Sequence, residues 1–209
     1  MIKSPDEEVI EYDGSPDNHN SGQRELPCEL DVNFQMNEEV LTIQAVIDRE
    51  EWIDLLNPNG VPIGEMTRKV MRENGMLHKA TYLIVHNTQN QVLVQKRTLN
   101  KDFYPGYWDA AAGGVVQKEE DILLSMKREA EEELGIVDIP FVFHGQFQFS
   151  TERQNIIGYL YSCISTGPFA LQATEIDEVK WMNIDDIFDN QQQFTTDSIF
   201  ALTKWINRD

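Results

Sequence analysis

The chain has 209 residues, with 17 basic against 36 acidic side chains and a formal net charge of -19 at pH 7. Such an excess of acid argues against a nucleic-acid or anionic-membrane partner, since both call for surplus Lys and Arg. No apolar run reaches the roughly 18 residues of a membrane helix, and the opening MIKSPDEEVIEYD lacks the apolar stretch of a secretory signal, so the expected compartment is the cytoplasm.

Residues 1–39 hold two bases, Lys3 and Arg24, against eleven acids, with Asp-Gly, Ser-Pro-Asp-Asn and Asn-Ser-Gly turn signals. That composition predicts an acidic, flexible extension ahead of a globular domain over 40–209. Within the domain, WIDLL and VPIG flank Asn57-Pro58-Asn59-Gly60, a hairpin turn signal. TYLIVHN (81–87) and QVLVQKR (91–97) read as strands, and the near-continuous apolar run of the first predicts a central strand. A helix is expected over 121–134. FVFHGQFQFS (141–150), NIIGYLYSCIS (155–165) and EVKWM (178–182) read as further strands. Near the end, Asp197 is expected to cap a helix SIFALTKWI that turns Ile199, Leu202 and Ile206 to one side. Strands broken by a few helices predict an α/β (α+β) fold, a mixed sheet sandwiched between helices. Cys28 and Cys163, the only cysteines, are not spaced as a zinc or redox pair.

The helix over 121–134 carries the chemistry. Ile122, Met126 and Ala130 recur every four residues, Leu123 and Leu134 widen the apolar stripe, and Gly135 supplies a stop. Glu129, Glu132 and Glu133 fall along one edge of that stripe. Like charges at i,i+4 repel, and acids in a last turn face the negative end of the helix dipole at about 0.3–1 kcal/mol each. A hard divalent cation reverses both penalties. An isolated acid run would more simply be a solvated face; here the neighbouring residues decide. Gly114, Glu120, Arg128, Glu129, Ala130, Glu132, Glu133, Gly135 and Ile136 stand at spacings that resemble the Nudix box of the Nudix hydrolases, covering 114–136. The resemblance implies a Nudix-type sheet between helices, with Mg²⁺ (or Mn²⁺) held by Glu129, Glu132 and Glu133 and by the Gly113 carbonyl. It also implies that Glu120 and Arg128 orient these acids, and that Glu132 and Arg128 take part in catalysis. Arg128 also reaches Glu132 at i+4.

The run KRTLNKDFYPGYWDAAAGG resembles the segment before the box in the isopentenyl-diphosphate-isomerase-like branch, through Arg97, Lys101, Pro105, Gly106 and Trp108. By that resemblance Arg97 and Lys101 bind the substrate diphosphate, and Trp108 walls the pocket. Isomerisation itself is the alternative, and two features count against it. Asp109-Ala110-Ala111-Ala112-Gly113 offers no catalytic cysteine after the tryptophan. His78 matches one metal histidine, but Met71 stands where its companion should be. The implied reaction is therefore hydrolysis of a nucleoside diphosphate linked to a group X. Glu175, in TEIDEVKW, is the preferred general base, with Glu178, Glu120 or a box glutamate as alternatives. A noncatalytic nucleotide-binding module is the remaining reading, disfavoured by the intact carboxylates. The expected partner is a small-molecule diphosphate, and family habit suggests a homodimer.

Overall fold

The computed structural model describes residues 51–208. The expected acidic extension 1–39, with Cys28 and His19, and the first residues of the expected domain lie outside them.

The predicted hairpin is present: β1 (Trp52–Leu56) runs antiparallel to β2 (Pro62–Thr67). Asn57 closes its turn, its Oδ1 accepting from the amides of Asn59 at 2.9 Å and Val61 at 3.0 Å. Gly60 sits at φ 77°, where a side chain would be strained. A short helix, α1 (Arg68–Asn74), follows without a loop; Thr67 caps it and Gly75 ends it in the left-handed region.

The main sheet holds β3 (Leu77–His86), β4 (Val92–Arg97), β5 (Trp108–Asp109), β6 (Val142–Ser150), β7 (Asn155–Ile164) and β8 (Ile176–Met182). The strand order is β5-β4-β3-β7-β6, with β8 also paired to β4. β3 and β7 run parallel and the other pairs antiparallel, so the sheet is mixed and β3 lies at its centre. The lack of alternation in β3 now has its reason. Ala80, Tyr82 and Ile84 pack into one core with Ala201, Leu202 and Trp205 of α4 (Thr196–Ile206). Leu83 and Val85 pack into another with Met126, Ala130 and Leu134 of α2 (Ile122–Leu134). Each fully buried Leu, Ile, Val or Met among them stabilises the fold by about 1.5–3 kcal/mol. The remaining helix, α3 (Ile184–Asp189), contributes Ile187 to the first core. No helix among the described residues is long and apolar enough to cross a membrane.

One split in the sheet positions the chemistry. β3 pairs with β4 only at His86 and Val92. Below that point residues 112–116 take the place of β4, through Leu83 N to Ala112 O (2.7 Å), Thr81 N to Gly114 O (2.9 Å) and Val116 N to Lys79 O (3.0 Å). The glycines that precede α2 are thereby fixed to the central strand.

Three local expectations are corrected. Asp197 does not cap α4. Thr195 stands at the N-cap, and the Asp197 carboxylate accepts from the Tyr82 hydroxyl at 2.9 Å, because that buried hydroxyl needs a partner. The buried face of α4 is Ser198, Ala201, Leu202 and Trp205, while Ile206 is exposed. Two small residues let the helix come close enough for Ser198 Oγ to accept from the Ala110 amide at 3.1 Å. On α2, Leu123 is exposed and Ser125 is fully buried, so the packed stripe is narrower at its start than the sequence pattern suggests.

Candidate active site

α2 is set by its two ends. Asp121 Oδ1 accepts from the amides of Leu123 and Leu124, and Gly135, at φ 66°, brings the Ile136 amide back to the Ala130 carbonyl at 3.0 Å. Between these ends Arg128 gathers three acids. Its guanidinium grips both oxygens of Glu120, at 2.9 and 3.1 Å, and donates to Glu129 at 2.8 Å and Glu132 at 3.2 Å. Those bonds, Glu120's foremost, raise the Arg128 pKa. Burial pushes the Glu120 carboxyl up, but Arg128 and the Gln117 amide outweigh it and leave it lowered.

Glu133 is different. Only 7% exposed, it accepts at Oε2 from the Gln95 side-chain amide and the Gly113 backbone amide, both at 3.1 Å. Burial, followed by repulsion from Glu129, pushes its pKa up to about 7. Burial likewise raises Glu129, with Arg128 acting against it. Gly113 and Gly114 form the wall beside both. Gly113 has φ 132° and a Cβ there would stand 2.1 Å from the Thr81 carbonyl oxygen; on Gly114 a Cβ would stand 2.5 Å from the Glu129 carboxylate. At Gly113 only glycine fits, whereas a side chain at Gly114 would have to displace the Glu129 carboxylate.

The donor chemistry fits a hard divalent cation: buried carboxylate oxygens on one helix edge, one short of compensating charge, against a glycine-lined loop. Among the described residues no three His, Cys, Asp or Glu side chains already converge on a metal-sized point. Glu132, half exposed, leans instead to Arg128.

Arg97 and Lys101 both reach this region, each with an acid partner. Arg97 donates to Asp109 at 2.8 Å and to the Phe103 carbonyl at 3.0 Å. Asp109 is buried, its pKa raised by burial and opposed by Arg97, and it also accepts from the Thr195 hydroxyl. Lys101 is ion-paired with Glu175. The Glu175 loop is tied to the end of α2 by Ala170 N to Leu134 O (3.0 Å) and Gln172 N to Glu133 O (3.2 Å). Burial and Arg97 lower the Lys101 pKa while Glu133 opposes them, so Lys101 and Glu175 lie in the field of the box carboxylates. Glu178 stands apart, exposed on β8 opposite Lys96. Trp108 is buried in the α4 core, its ring 3.9 Å from Lys180 Nζ.

Sequence reasoning missed Gln95, Asp109 and Thr195 as partners of the site. Gln95 and Asp109 had a signal, each a polar residue within an apolar run, VLVQ and WDAAA; Thr195 had none. It also missed that Gly113 and Gly114 line a cavity together with Arg68, Arg72, His78, Arg97 and Arg153.

A sequence model of the NUDIX domain matches residues 76–203. An uncharacterized Nudix hydrolase of Yersinia pestis is 49% identical over 158 residues, which is 76% of this chain and 87% of that protein. The crystal structure of DR0079 from Deinococcus radiodurans has the same fold, with a TM-score of 0.65 at 19% identity over 74% of this chain and 99% of that one. So does the NUDIX domain of Shewanella oneidensis NrtR complexed with ADP ribose, with a TM-score of 0.51 at 19% identity over 68% of this chain and 99% of that one.

Proposed function

The chain belongs to the Nudix family and is a hydrolase acting on pyrophosphate bonds, and from that premise we propose a Mg²⁺- or Mn²⁺-dependent enzyme of the domain 40–209 that cleaves a nucleoside diphosphate linked to a group X, or a related small organic diphosphate, in the cytoplasm. The observation that carries the metal is Glu133. It is buried beside a second carboxylate and hydrogen-bonded only to neutral amides, an arrangement that a folded protein tolerates poorly unless a cation completes it.

Glu129, Glu132 and Glu133, with the Gly113 carbonyl, would hold the ion. When bound, such an ion neutralises phosphate-oxygen charge and lowers the pKa of an attacking water. The chain's own residues do the rest. Gln95 and the Gly113 amide fix the Glu133 carboxylate, and Arg128, braced on Glu120, holds Glu129 and Glu132 in place. Arg97 and Lys101 offer positive charge to diphosphate oxygens. Trp108 acts behind them, fixing β5 in the core rather than stacking on substrate. Glu175 is the preferred proton acceptor. Its carboxylate is held by Lys101, so a phosphate that draws Lys101 toward itself frees Glu175 to take the water proton. Glu132, exposed and held by one Arg128 bond, is the second candidate.

The Arg97, Lys101 and Pro105-Gly106-x-Trp108 pattern supports placement in the isopentenyl-diphosphate-isomerase-like branch. Isomerisation is disfavoured because Cys163 is 2% exposed and burial pushes its thiol up to about 12, which suits a packed side chain and not a proton shuttle. The test is conversion of a panel of nucleoside diphosphate-linked compounds, ADP-ribose included, to nucleoside monophosphate and X-phosphate, followed by chromatography or by phosphate release after an added phosphatase, with Mg²⁺, Mn²⁺ or EDTA. Turnover of at least one compound with metal and none in EDTA is expected. Equal turnover in EDTA removes the metal, and silence across the panel removes the substrate class.

A further inference from the structure

The chain as a whole carries a charge of -19, yet the cavity behind the Gly113–Gly114 wall gathers Arg68, Arg72, Arg97, Arg153 and His78. The acids lining the same cavity are Asp109 and Asp197. Asp109 serves Arg97, and Asp197 serves the Tyr82 hydroxyl. Arg68 and Arg72 lie one turn apart on α1, a like-charge pair that a helix disfavours. Their acid partners, Glu51 and Asp102, come from outside the cavity lining.

The cavity keeps donors to spare. Arg153 pairs with no acid among the described residues. The Arg68 Nε atom is buried with no hydrogen-bond partner. His78 Nδ1 lies 3.0 Å from the Met76 carbonyl, and Nε2 has no partner among the described residues. Arg153 is carried by the β6–β7 turn, which packs on the end of α1 within 3.5 Å of the Cβ position at Gly75. Two elements remote in sequence therefore contribute arginines to the lining of one space, Arg153 from an exposed position. A stacked base has little room there, since Phe103, one of the two aromatic rings of the lining, lies under the Arg72 guanidinium at 6.0 Å.

A diphosphate beside Gly113 has Arg97 and Lys101 to meet it; Arg72 and Arg153 are in excess of that need. We propose that this cavity reads a second anionic group on X, a carboxylate or a phosphomonoester, through Arg153 and Arg72. Both anions match the planar fork of a guanidinium. The assignment rests on the diphosphate hydrolase reading and narrows its substrate class.

Two matched pairs test it, each differing by one anionic group: UDP-glucose against UDP-glucuronate for a carboxylate, and NADH against NADPH for a phosphate. Wild-type protein with Mg²⁺ should favour the anionic member of at least one pair by about tenfold in kcat/KM, mainly through KM, the scale of one charge-assisted hydrogen bond. Arg153→Gln should bring that ratio close to one. Equal kcat/KM within both pairs, or a ratio that Arg153→Gln leaves unchanged, overturns the proposal. A second arm needs no turnover: inorganic phosphate is titrated in EDTA and its ³¹P line width followed. Binding that Arg153→Gln weakens about tenfold supports the anion site even if every diphosphate is inert, and so separates it from the hydrolase reading; equal binding by both proteins overturns it.

Discussion

The acids of α2 and the bases of the β4–β5 segment face the same glycine wall, but their charges are met differently. Arg97 has Asp109 at 2.8 Å, and Lys101 has Glu175. On α2 one guanidinium serves Glu120, Glu129 and Glu132, and Glu133 receives only amide donors, so that burial and Glu129 push it up to about 7. The difference is energetic. Arg97 and Lys101 are neutralised within the chain, whereas the Glu133 carboxylate has no cation of the chain bonded to it and destabilises the fold while it stays ionised.

Glu133→Gln breaks that contrast most severely. The amide oxygen can still accept from Gln95 and Gly113, so the local bonds survive while the charge is lost. Loss of metal-assisted charge stabilisation amounts to several kcal/mol, on the order of a thousandfold in kcat. Thermal unfolding in EDTA should show a midpoint equal to or above wild type, because a buried, repelled carboxylate has been removed. A clear fall in midpoint would give Glu133 a structural role instead.

Asp109→Ala sharpens the comparison from the other side. It strands Arg97, only 19% exposed at its side chain, without its acid, and it also takes away the acceptor of the Thr195 hydroxyl. Removing one partner of such a pair should lower stability by about 3 kcal/mol, read from urea unfolding. If Asp109→Ala is as stable as wild type while Glu133→Gln is not, the assignment of the two roles is reversed.

The two regions also differ in how far they could be read from the chain. The box helix was legible because its signals are local: a four-residue apolar repeat, a terminal glycine and the spacing of its acids. β3 was legible because burial on both faces leaves an unbroken apolar run. The pairing of Lys101 with Glu175 was not, since it depends on a loop that returns to the end of α2 from far along the chain. The face of α4 was legible only in part: Leu202 and Ile199 do pack on the core, but the stripe turns toward Ser198, Ala201 and Trp205 and leaves Ile206 exposed. Of the cavity arginines Arg97 was read from the sequence, while Arg68, Arg72 and Arg153 were missed because α1 and the β6–β7 turn meet only in three dimensions.

The smallest expected effect concerns His78, the buried base of the cavity. Burial lowers its pKa below 6.5, Arg68 and Arg72 add to that, and the Met76 carbonyl opposes it. The folded imidazole therefore resists a proton that the unfolded chain accepts at 6.5. Its stability contribution is fully present above that value and is lost as pH falls through it toward the folded pKa. Glu133 has the opposite sign, because a carboxyl raised to about 7 takes its proton more readily folded than unfolded and gains stability as pH falls. In metal-free buffer the two effects oppose each other between pH 7 and about 5.5. His78→Gln removes one of them, so the variant should become more stable relative to wild type as the pH is lowered, measured by urea unfolding across that window. A difference between the two proteins that does not vary with pH would mean that the folded imidazole takes its proton as readily as the unfolded one. The cavity around it would then be more hydrated than the burial of His78 implies.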